Sequence, residues 1–172
     1  MKGKLLVISV VMVLVFIQGA VSMSAGKAKP SKSKGILLKS LKKMPFSEFP
    51  SFIKDKLNEK VRDFEPDRQI TIEEYIEIVD EPVGYNIDLN GDKALEVVIL
   101  LPDPESTMIL IYKKSDEDFV LIGEFWGELL KFGPSTTKGF LDIFGREFNQ
   151  DTGKQDPWQV VWDGKKYIQK AK

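Results

Sequence analysis

The sequence predicts an α+β domain that is mostly β, with an N-terminal amphipathic helix packed on an antiparallel β-meander. Apolar residues with helical spacing form one clear segment early in the chain, from Phe49 to Val61. After Gly84, short apolar runs follow one another about every 8 to 12 residues, separated by Gly, Pro and Asp, which predicts about 7–9 short strands. Apolar residues make up 42% of the chain and aromatic residues 10%, enough for a core. We find no internal repeat, so we expect a single module and not a full β-propeller, which needs at least about four blades.

The first 25 residues have the pattern of a cleaved secretory signal peptide. Lys2 and Lys4 precede the apolar run LLVISVVMVLVFI, and the small residues of GAVSMSA follow it. The apolar run is shorter than the roughly 20 residues that span a bilayer. We expect cleavage after Ser22 or Ala25 and a periplasmic or secreted protein. The chain has no cysteine, so it has neither a lipid-anchored cysteine nor disulfides.

Residues 26–43 form a lysine-rich segment that we expect to be a flexible linker. They hold seven lysines and no acidic residue, and could make weak contact with an anionic lipid or polysaccharide surface. Removing residues 1–43 removes nine of the 25 basic residues and none of the 26 acidic ones, which leaves a net charge of −10. An exported domain of that charge is not expected to bind nucleic acid. The sequence therefore predicts one mostly-β domain over residues 44–172.

The segment SEFPSFIKDKLNEKVRDF predicts the helix. Phe49, Ile53, Leu57 and Val61 recur every four residues and make one apolar stripe between charged positions. Pro66 ends the helical pattern.

The next segment, QITIEEYIEIV at residues 69–79, fits two structures. Its isoleucines alternate as in a strand, which we favour because β-branched residues prefer strands. A helix would instead place DFEPDRQITIEE between two helices, as in a calcium-binding EF-hand loop. Its ligand positions would then be Asp63, Glu65, Asp67, Thr71 and Glu74. Arg68 stands where that loop needs glycine, which counts against the EF-hand.

The remaining apolar runs predict the strands of the meander. They are GYNID, LEVVILL, TMILIYKK, FVLIGEFW, GELLKF, KGFLDIFGRE, WQVVW and KYIQK. The segment WDGKKY at residues 162–167 predicts a hairpin with a two-residue turn at Asp163 and Gly164.

One stretch, NIDLNGDKALEVVIL at residues 86–100, is a candidate metal-binding loop. Asp88, Asn90 and Asp92 are spaced two apart, so their oxygens can point inward when the chain curls. Gly91 permits the positive φ that such curling needs. The carbonyl of Ala94 and the carboxylate of Glu96 complete the set. Oxygen ligands of this kind suit calcium or magnesium and not zinc.

This loop resembles the calcium loop of FG-GAP and VCBS repeats, including those of integrin-type propellers. In those families the first, third, fifth and ninth positions supply side chains and the seventh a carbonyl. The resemblance implies that Asp88, Asn90, Asp92, Glu96 and Ala94 bind a calcium ion with a structural role. It covers about 15 residues. Lys93 replaces the usual glycine, and Glu96 replaces aspartate. The alternative is an acidic turn without an ion, since Asn-Gly alone favours a tight hairpin.

The composition argues against most enzymes. The chain has no histidine and no cysteine, which removes histidine-based triads, thiol nucleophiles and most zinc sites. Carboxylate catalysis remains open, with Asp142, Glu124 and Glu128 as candidates by composition alone. We therefore predict a binding or interaction module, and as the alternative a carboxylate-dependent hydrolase of cell-envelope polysaccharide.

The expected binding surface is aromatic. Phe125, Trp126, Trp158 and Trp162 could bind a sugar or a protein partner, or could instead fill the core. Trp126 is the best candidate for exposure because Gly127 predicts a bend beside it. An inhibitor of another organism's enzyme would have the same features, and the sequence leaves the oligomeric state open.

Overall fold

The fold is a sandwich of two antiparallel sheets, with helices on the outer face of one sheet. The computed structural model describes residues 34–64, 70–115 and 118–170, which all lie within one compact unit. The predicted signal peptide and residues 26–33 of the predicted linker lie outside these ranges. Within them, no helix is long and apolar enough to cross a membrane. The helices are α1 (Ser51–Phe64) and α2 (Ile72–Ile76), and the strands are β1 (Ile36–Leu37), β2 (Met44–Pro45), β3 (Val83–Ile87), β4 (Glu96–Pro102), β5 (Thr107–Ser115), β6 (Asp118–Trp126), β7 (Glu128–Thr137), β8 (Phe140–Asn149), β9 (Lys154–Trp162) and β10 (Tyr167–Gln169).

Each sheet has five strands. The first has the order β1-β7-β8-β9-β10, and the second has the order β2-β3-β4-β5-β6. The predicted mostly-β antiparallel architecture is confirmed, but the meander divides into two sheets. The chain crosses between them at Gly127, which has a φ of 119°. The Gly127 N–H donates to the carbonyl of Thr107, 2.9 Å away.

Successive residues of β4 and β5 point to opposite faces of their sheet, which explains why the molecule has two apolar cores. Val98, Ile109 and Ile111 belong to the core between the sheets. Their neighbours, including Ile99 and Leu110, belong to a second core between the β2–β6 sheet and the helices. Both central strands are therefore buried on both faces, as continuous apolar runs require.

Helix α1 forms where the apolar stripe predicted a helix. Ile53, Leu57 and Val61 are fully buried against the second core. The helix does not open the fold, however, because β1, β2 and two 3₁₀ turns (residues 38–40 and 46–48) precede it. β1 and the first turn lie inside the predicted linker, so ordered structure begins before residue 44.

The prediction of a strand at residues 69–79 is wrong. Residues 72–76 form α2, which begins with a capping box in which Thr71 and Glu74 exchange side-chain and backbone hydrogen bonds. Ile72 and Tyr75, one helical turn apart, are buried in the second core. The cap and the tertiary contacts outweigh the strand propensity of the isoleucines.

Candidate functional site

The candidate loop joins β3 to β4 on the central part of the β2–β6 sheet. Strand pairing ends at Ile87 and Glu96, so residues 88–95 form an eight-residue loop. The hairpin therefore does not have the tight two-residue turn that the Asn90-Gly91 pair favours. Gly91 and Lys93 both have positive φ, of 79° and 69°. Lys93 thus adopts the left-handed backbone, a conformation that glycine adopts without a steric cost.

Asp88 accepts the loop's backbone N–H groups. Its Oδ1 accepts from Gly91 at 2.6 Å and from Asn90 at 3.3 Å. Its Oδ2 accepts from the N–H of Lys93 at 3.0 Å. The loop therefore wraps around one carboxylate, which has about four lone-pair sites and is not saturated by three bonds.

Asn90 and Asp92 are joined by two hydrogen bonds. The Asn90 side-chain amide donates to Asp92 Oδ2 at 2.7 Å, and the Asp92 N–H donates to Asn90 Oδ1 at 2.9 Å. Asp92 Oδ1 accepts from the N–H of Ala94 at 2.7 Å. The bonds from Asn90 and Ala94 hold the pKa of Asp92 below its usual value, so this carboxylate is charged at neutral pH.

Glu96 closes the loop from the first position of β4. Its side chain reaches back, and Oε2 accepts the N–H of Leu89 at 2.8 Å. The residue is only 1% exposed, and its other oxygen, Oε1, is buried without a hydrogen-bond partner. Burial raises the pKa of Glu96 above its usual value of 4.5, against the opposing effects of the Leu89 bond and of Lys113. A buried acceptor without a partner is uncommon in folded proteins.

Leu89 anchors the loop between the sheets. Its side chain is buried in the inter-sheet core. Its carbonyl accepts the N–H of Leu141, on β8 of the opposite sheet, at 2.7 Å. The hydroxyl of Tyr167 donates to the carbonyl of the same Leu141 at 2.9 Å. The candidate loop therefore links the two sheets and does not project freely into solvent.

Lys113 on β5 forms an ion pair with the loop. Its Nζ lies 3.9 Å from Asp92 Oδ2 and 4.9 Å from the centroid of the Phe140 ring. Lys93, by contrast, has an exposed side chain. The roles of Lys113, Leu89 and Leu141 could not be predicted from the sequence, because their contacts depend on how the strands are arranged in space.

Four of the five predicted ligand residues lie in this loop, and the fifth, Glu96, is the first residue of β4. The side chains of Asp88, Asn90, Asp92 and Glu96 each accept a backbone N–H of the loop, and Ala94 donates one. Among the described residues, no three acidic, histidine or cysteine side chains lie close enough to share a metal ion. For these residues to share one calcium ion, their acidic side chains would have to move closer together.

The segment considered as an alternative EF-hand loop, residues 63–74, lies between two helices, α1 and α2, and includes residues of both. Its position twelve, Glu74, uses its carboxylate to accept the N–H of Thr71 at 2.7 Å in the capping box. Glu65 and Asp67 lie outside the described residues.

The three carboxylates considered for catalysis each have partners. Asp142 is buried and accepts from Ser135, Thr137 and Gln159 at 2.5, 2.7 and 3.1 Å. Glu124 pairs with Lys60 at 2.8 Å. Glu128 accepts a short 2.6 Å bond from Arg146. Each of the three carboxylates is therefore hydrogen-bonded or ion-paired within the described part of the chain.

The aromatic residues divide between core and surface. Trp158 and Trp162 are buried in the inter-sheet core, and Phe125 is partly buried against it. Trp126 is 42% exposed, as the neighbouring glycine predicted. A cleft of about 240 Å³ beside it is lined by Phe125, Trp126 and Trp158, with Glu124, Glu147 and Gln169 among the polar groups.

Three comparisons with known proteins found no similar protein. A scan against protein-family models, a search of curated proteins and a search of solved structures each gave no match.

Proposed function

We propose that this protein is an exported, non-catalytic binding module whose β3–β4 loop binds a structural calcium ion. The observation that supports calcium most directly is the buried Oε1 of Glu96. A carboxylate oxygen without a partner is costly to bury, and a divalent cation would supply the missing positive charge. Asp88, Asn90 and Asp92 offer further oxygens in the same loop, and the Ala94 carbonyl is the expected backbone ligand. Zinc is disfavoured by this all-oxygen set.

A structural role follows from the position of the loop. Leu89 connects the loop to both the inter-sheet core and β8. Calcium bound there would hold the two sheets together in a domain that has no cysteine for disulfides. An ion that binds only the folded state stabilises it by about 2.7 kcal/mol at a hundredfold excess over Kd.

Titration of the purified protein with CaCl₂, followed by calorimetry and thermal unfolding, tests this proposal. We expect binding heat and a rise in Tm of roughly 5–10 °C at saturation. EDTA should reverse the rise. Magnesium should bind more weakly because it requires near-ideal octahedral geometry. A protein that shows neither heat nor a change in Tm with calcium would exclude the site.

Isosteric variants distinguish an ion site from a turn that is merely acidic. Asp92→Asn and Glu96→Gln keep an acceptor oxygen but remove the charge, so both should fold and lose calcium binding. Asp163→Asn is the matched control, because Asp163 also accepts two backbone N–H groups in a hairpin loop, at 2.7 and 2.8 Å. The control should keep wild-type affinity. Equal weakening in all three variants would contradict a specific site.

The partner of the module is proposed to bind at the exposed Trp126. A partly exposed indole beside a cleft with carboxylate and amide groups suits a sugar or a protein surface. Trp126→Ala should weaken binding to such a partner, while Phe148→Ala, which changes another exposed aromatic residue, should not. Binding of cell-envelope polysaccharide to the immobilised protein is the first measurement.

Export rests on the sequence pattern of residues 1–25. N-terminal sequencing of the protein recovered from the periplasm or medium should give a start at Met23 or Gly26. Recovery of the intact N-terminus in the cytoplasm would contradict export.

The alternative of a polysaccharide hydrolase is supported by one feature, the two carboxylates that line the Trp126 cleft. Glu124 and Glu147 both lie there, and glycoside hydrolysis uses two carboxyl groups. Release of reducing ends that is lost in both Glu124→Gln and Glu147→Gln would favour this alternative. No release would favour the binding module.

A further inference from the structure

A second cleft lies where the two sheets are open at their β1 and β2 edges. The chain between these strands, residues 38–43, passes along this side of the sandwich. The cleft has a volume of about 610 Å³, and its apolar lining includes Leu37, Leu38, Leu129 and Leu130. Tyr85, which is only 4% exposed and belongs to the inter-sheet core, lines its inner end. The volume is in the range of about 300–1,000 Å³ that is usual for small-molecule sites.

The mouth of this cleft is basic. Lys39, Lys43 and Lys131 line it, and no carboxylate of the described residues forms an ion pair with them. Glu128, the one acidic residue of the lining, is paired with Arg146. The Lys131 ammonium lies 5.0 Å from the centroid of the Phe144 ring, which is a cation–π contact and leaves its charge without a carboxylate partner. A basic mouth is unusual here, because residues 44–172 carry a net charge of −10.

Exposed aliphatic side chains lie beside these lysines. Leu37 is 45% exposed and Leu130 is 38% exposed. Leu37 is the direct strand partner of Lys131, so an apolar and a cationic side chain lie side by side on the same face of the sheet. A site with an aliphatic wall, a buried inner end and unpaired ammonium groups at its mouth is complementary to an anion with an alkyl tail.

We propose that this cleft binds a single-chain anionic amphiphile of the long-chain carboxylate type. The alkyl chain lies against Leu129 and Leu130 and extends toward Tyr85. The carboxylate contacts Lys39, Lys43 and Lys131 at the mouth. The site is separate from the β3–β4 loop and does not depend on calcium.

Calorimetric titration with monomeric laurate tests the proposal, using the protein as recovered from cells, in EDTA and below the critical micelle concentration. We expect saturable binding of one laurate. Acetate lacks the tail, dodecanol lacks the charge and dodecyltrimethylammonium has the opposite charge, so each should bind at least about tenfold more weakly. Equal affinity for any of the three, or no binding of laurate, would overturn the proposal. So would binding to anionic vesicles without binding to monomeric laurate.

Variants test the contributions of the lysines and of the leucines to binding separately. Lys39→Gln, Lys43→Gln and Lys131→Gln together should weaken laurate at least about tenfold and leave dodecanol unchanged. Leu130→Asn should weaken both ligands. Lys114→Gln and Val120→Asn are matched controls, because they change exposed residues on the β5–β6 hairpin, and should bind as wild type. Loss of laurate binding in the controls would overturn the proposal.

A measurement on the wild-type protein avoids any effect of a variant on folding. In NMR titration, laurate should shift the amide signals of Leu129 and Leu130 and leave those of the β3–β4 loop unchanged. Shifts confined to the loop or to the Trp126 cleft would place the ligand elsewhere and overturn the proposal.

Discussion

The carboxyl group of Glu96 has one oxygen bonded to Leu89 and the other buried without a partner. Burial raises its pKa, Asp92 adds to that effect, and Lys113 opposes it. An acid whose pKa is raised by folding contributes most to stability below its unfolded pKa, which for Glu96 is the usual value of 4.5. That contribution is lost as pH rises through the folded pKa. In the absence of calcium, ionised Glu96 should therefore destabilise the fold at neutral pH.

The free energy of unfolding of Glu96→Gln, compared with wild type in EDTA, measures this effect. Glutamine can accept the Leu89 bond without a charge. We expect the two proteins to be about equal near pH 4, and the variant to be more stable by about 1–3 kcal/mol at pH 7. Urea unfolding at several pH values gives the difference. A difference that stays constant over this range would contradict the assignment of the penalty to ionised Glu96.

Lys93 has the left-handed backbone at a φ of 69°. That conformation costs a residue with a side chain about 1–2 kcal/mol, and glycine avoids the cost but loses more entropy on folding. We expect Lys93→Gly to raise the free energy of unfolding by about 0.5–1 kcal/mol, as measured in urea. Lys93→Ala keeps the Cβ and should bring no gain. Equal stability of both variants would show that backbone strain at this position is negligible.

At the scale of elements, the close packing of β7, β8 and β9 depends on Gly145. It pairs with Leu129 on β7 and with Trp158 on β9, and a Cβ at this position would overlap the Trp158 ring and the Glu128 carbonyl. We expect Gly145→Ala to cost about 1–3 kcal/mol by overpacking. Combining it with Trp158→Phe, which has a smaller ring, should cost less than the sum of the two single changes. Additive costs in urea unfolding would contradict direct overlap.

Most elements could be predicted from the sequence because their apolar spacing is strong. Helix α1 and the eight strands β3–β10 form where the helical stripe and the spaced apolar runs predicted them. β1 and β2, at two residues each, are too short to show a period. The turn at Asp163 has four residues, because Trp162 pairs with Tyr167. Asp163 accepts the N–H groups of Lys165 and Lys166, which favours the longer loop over the predicted two-residue turn.

The sequence allowed the β3–β4 loop to be predicted as a candidate site, but not the second cleft. The oxygen-bearing residues of the β3–β4 loop are adjacent in sequence, so their pattern could be recognised. The second cleft, proposed above to bind an anionic amphiphile, combines residues 37–39, Lys43, Tyr85 and residues 128–131. These segments meet only because β1 pairs with β7 at one edge of the sandwich. Local sequence does not specify which strands become neighbours across such distances, so this cleft could not be predicted.

At the scale of the whole molecule, the β3–β4 loop belongs to one sheet and is bonded to the other. Leu141 connects to Leu89 of the loop and to Tyr167 of β10. Glu96 is also close enough to Tyr167 to contribute, after burial, to raising the pKa of its phenol. An ion that rigidifies the loop should therefore reduce local opening between the sheets, and not only motion of the loop itself.

Amide hydrogen exchange with and without calcium tests this coupling. We expect calcium to slow exchange at Leu141, which is 45 residues or more from the predicted ligands but donates its N–H to the loop. The N–H of Gly153, which donates to Asn149 within the β8–β9 turn, should exchange by local opening of that turn and stay unchanged. Slowing at residues 88–96 alone would mean that the ion orders the loop without joining the sheets. Slowing at Leu141 with Gly153 unchanged would place the effect of the ion at the contact between the two sheets.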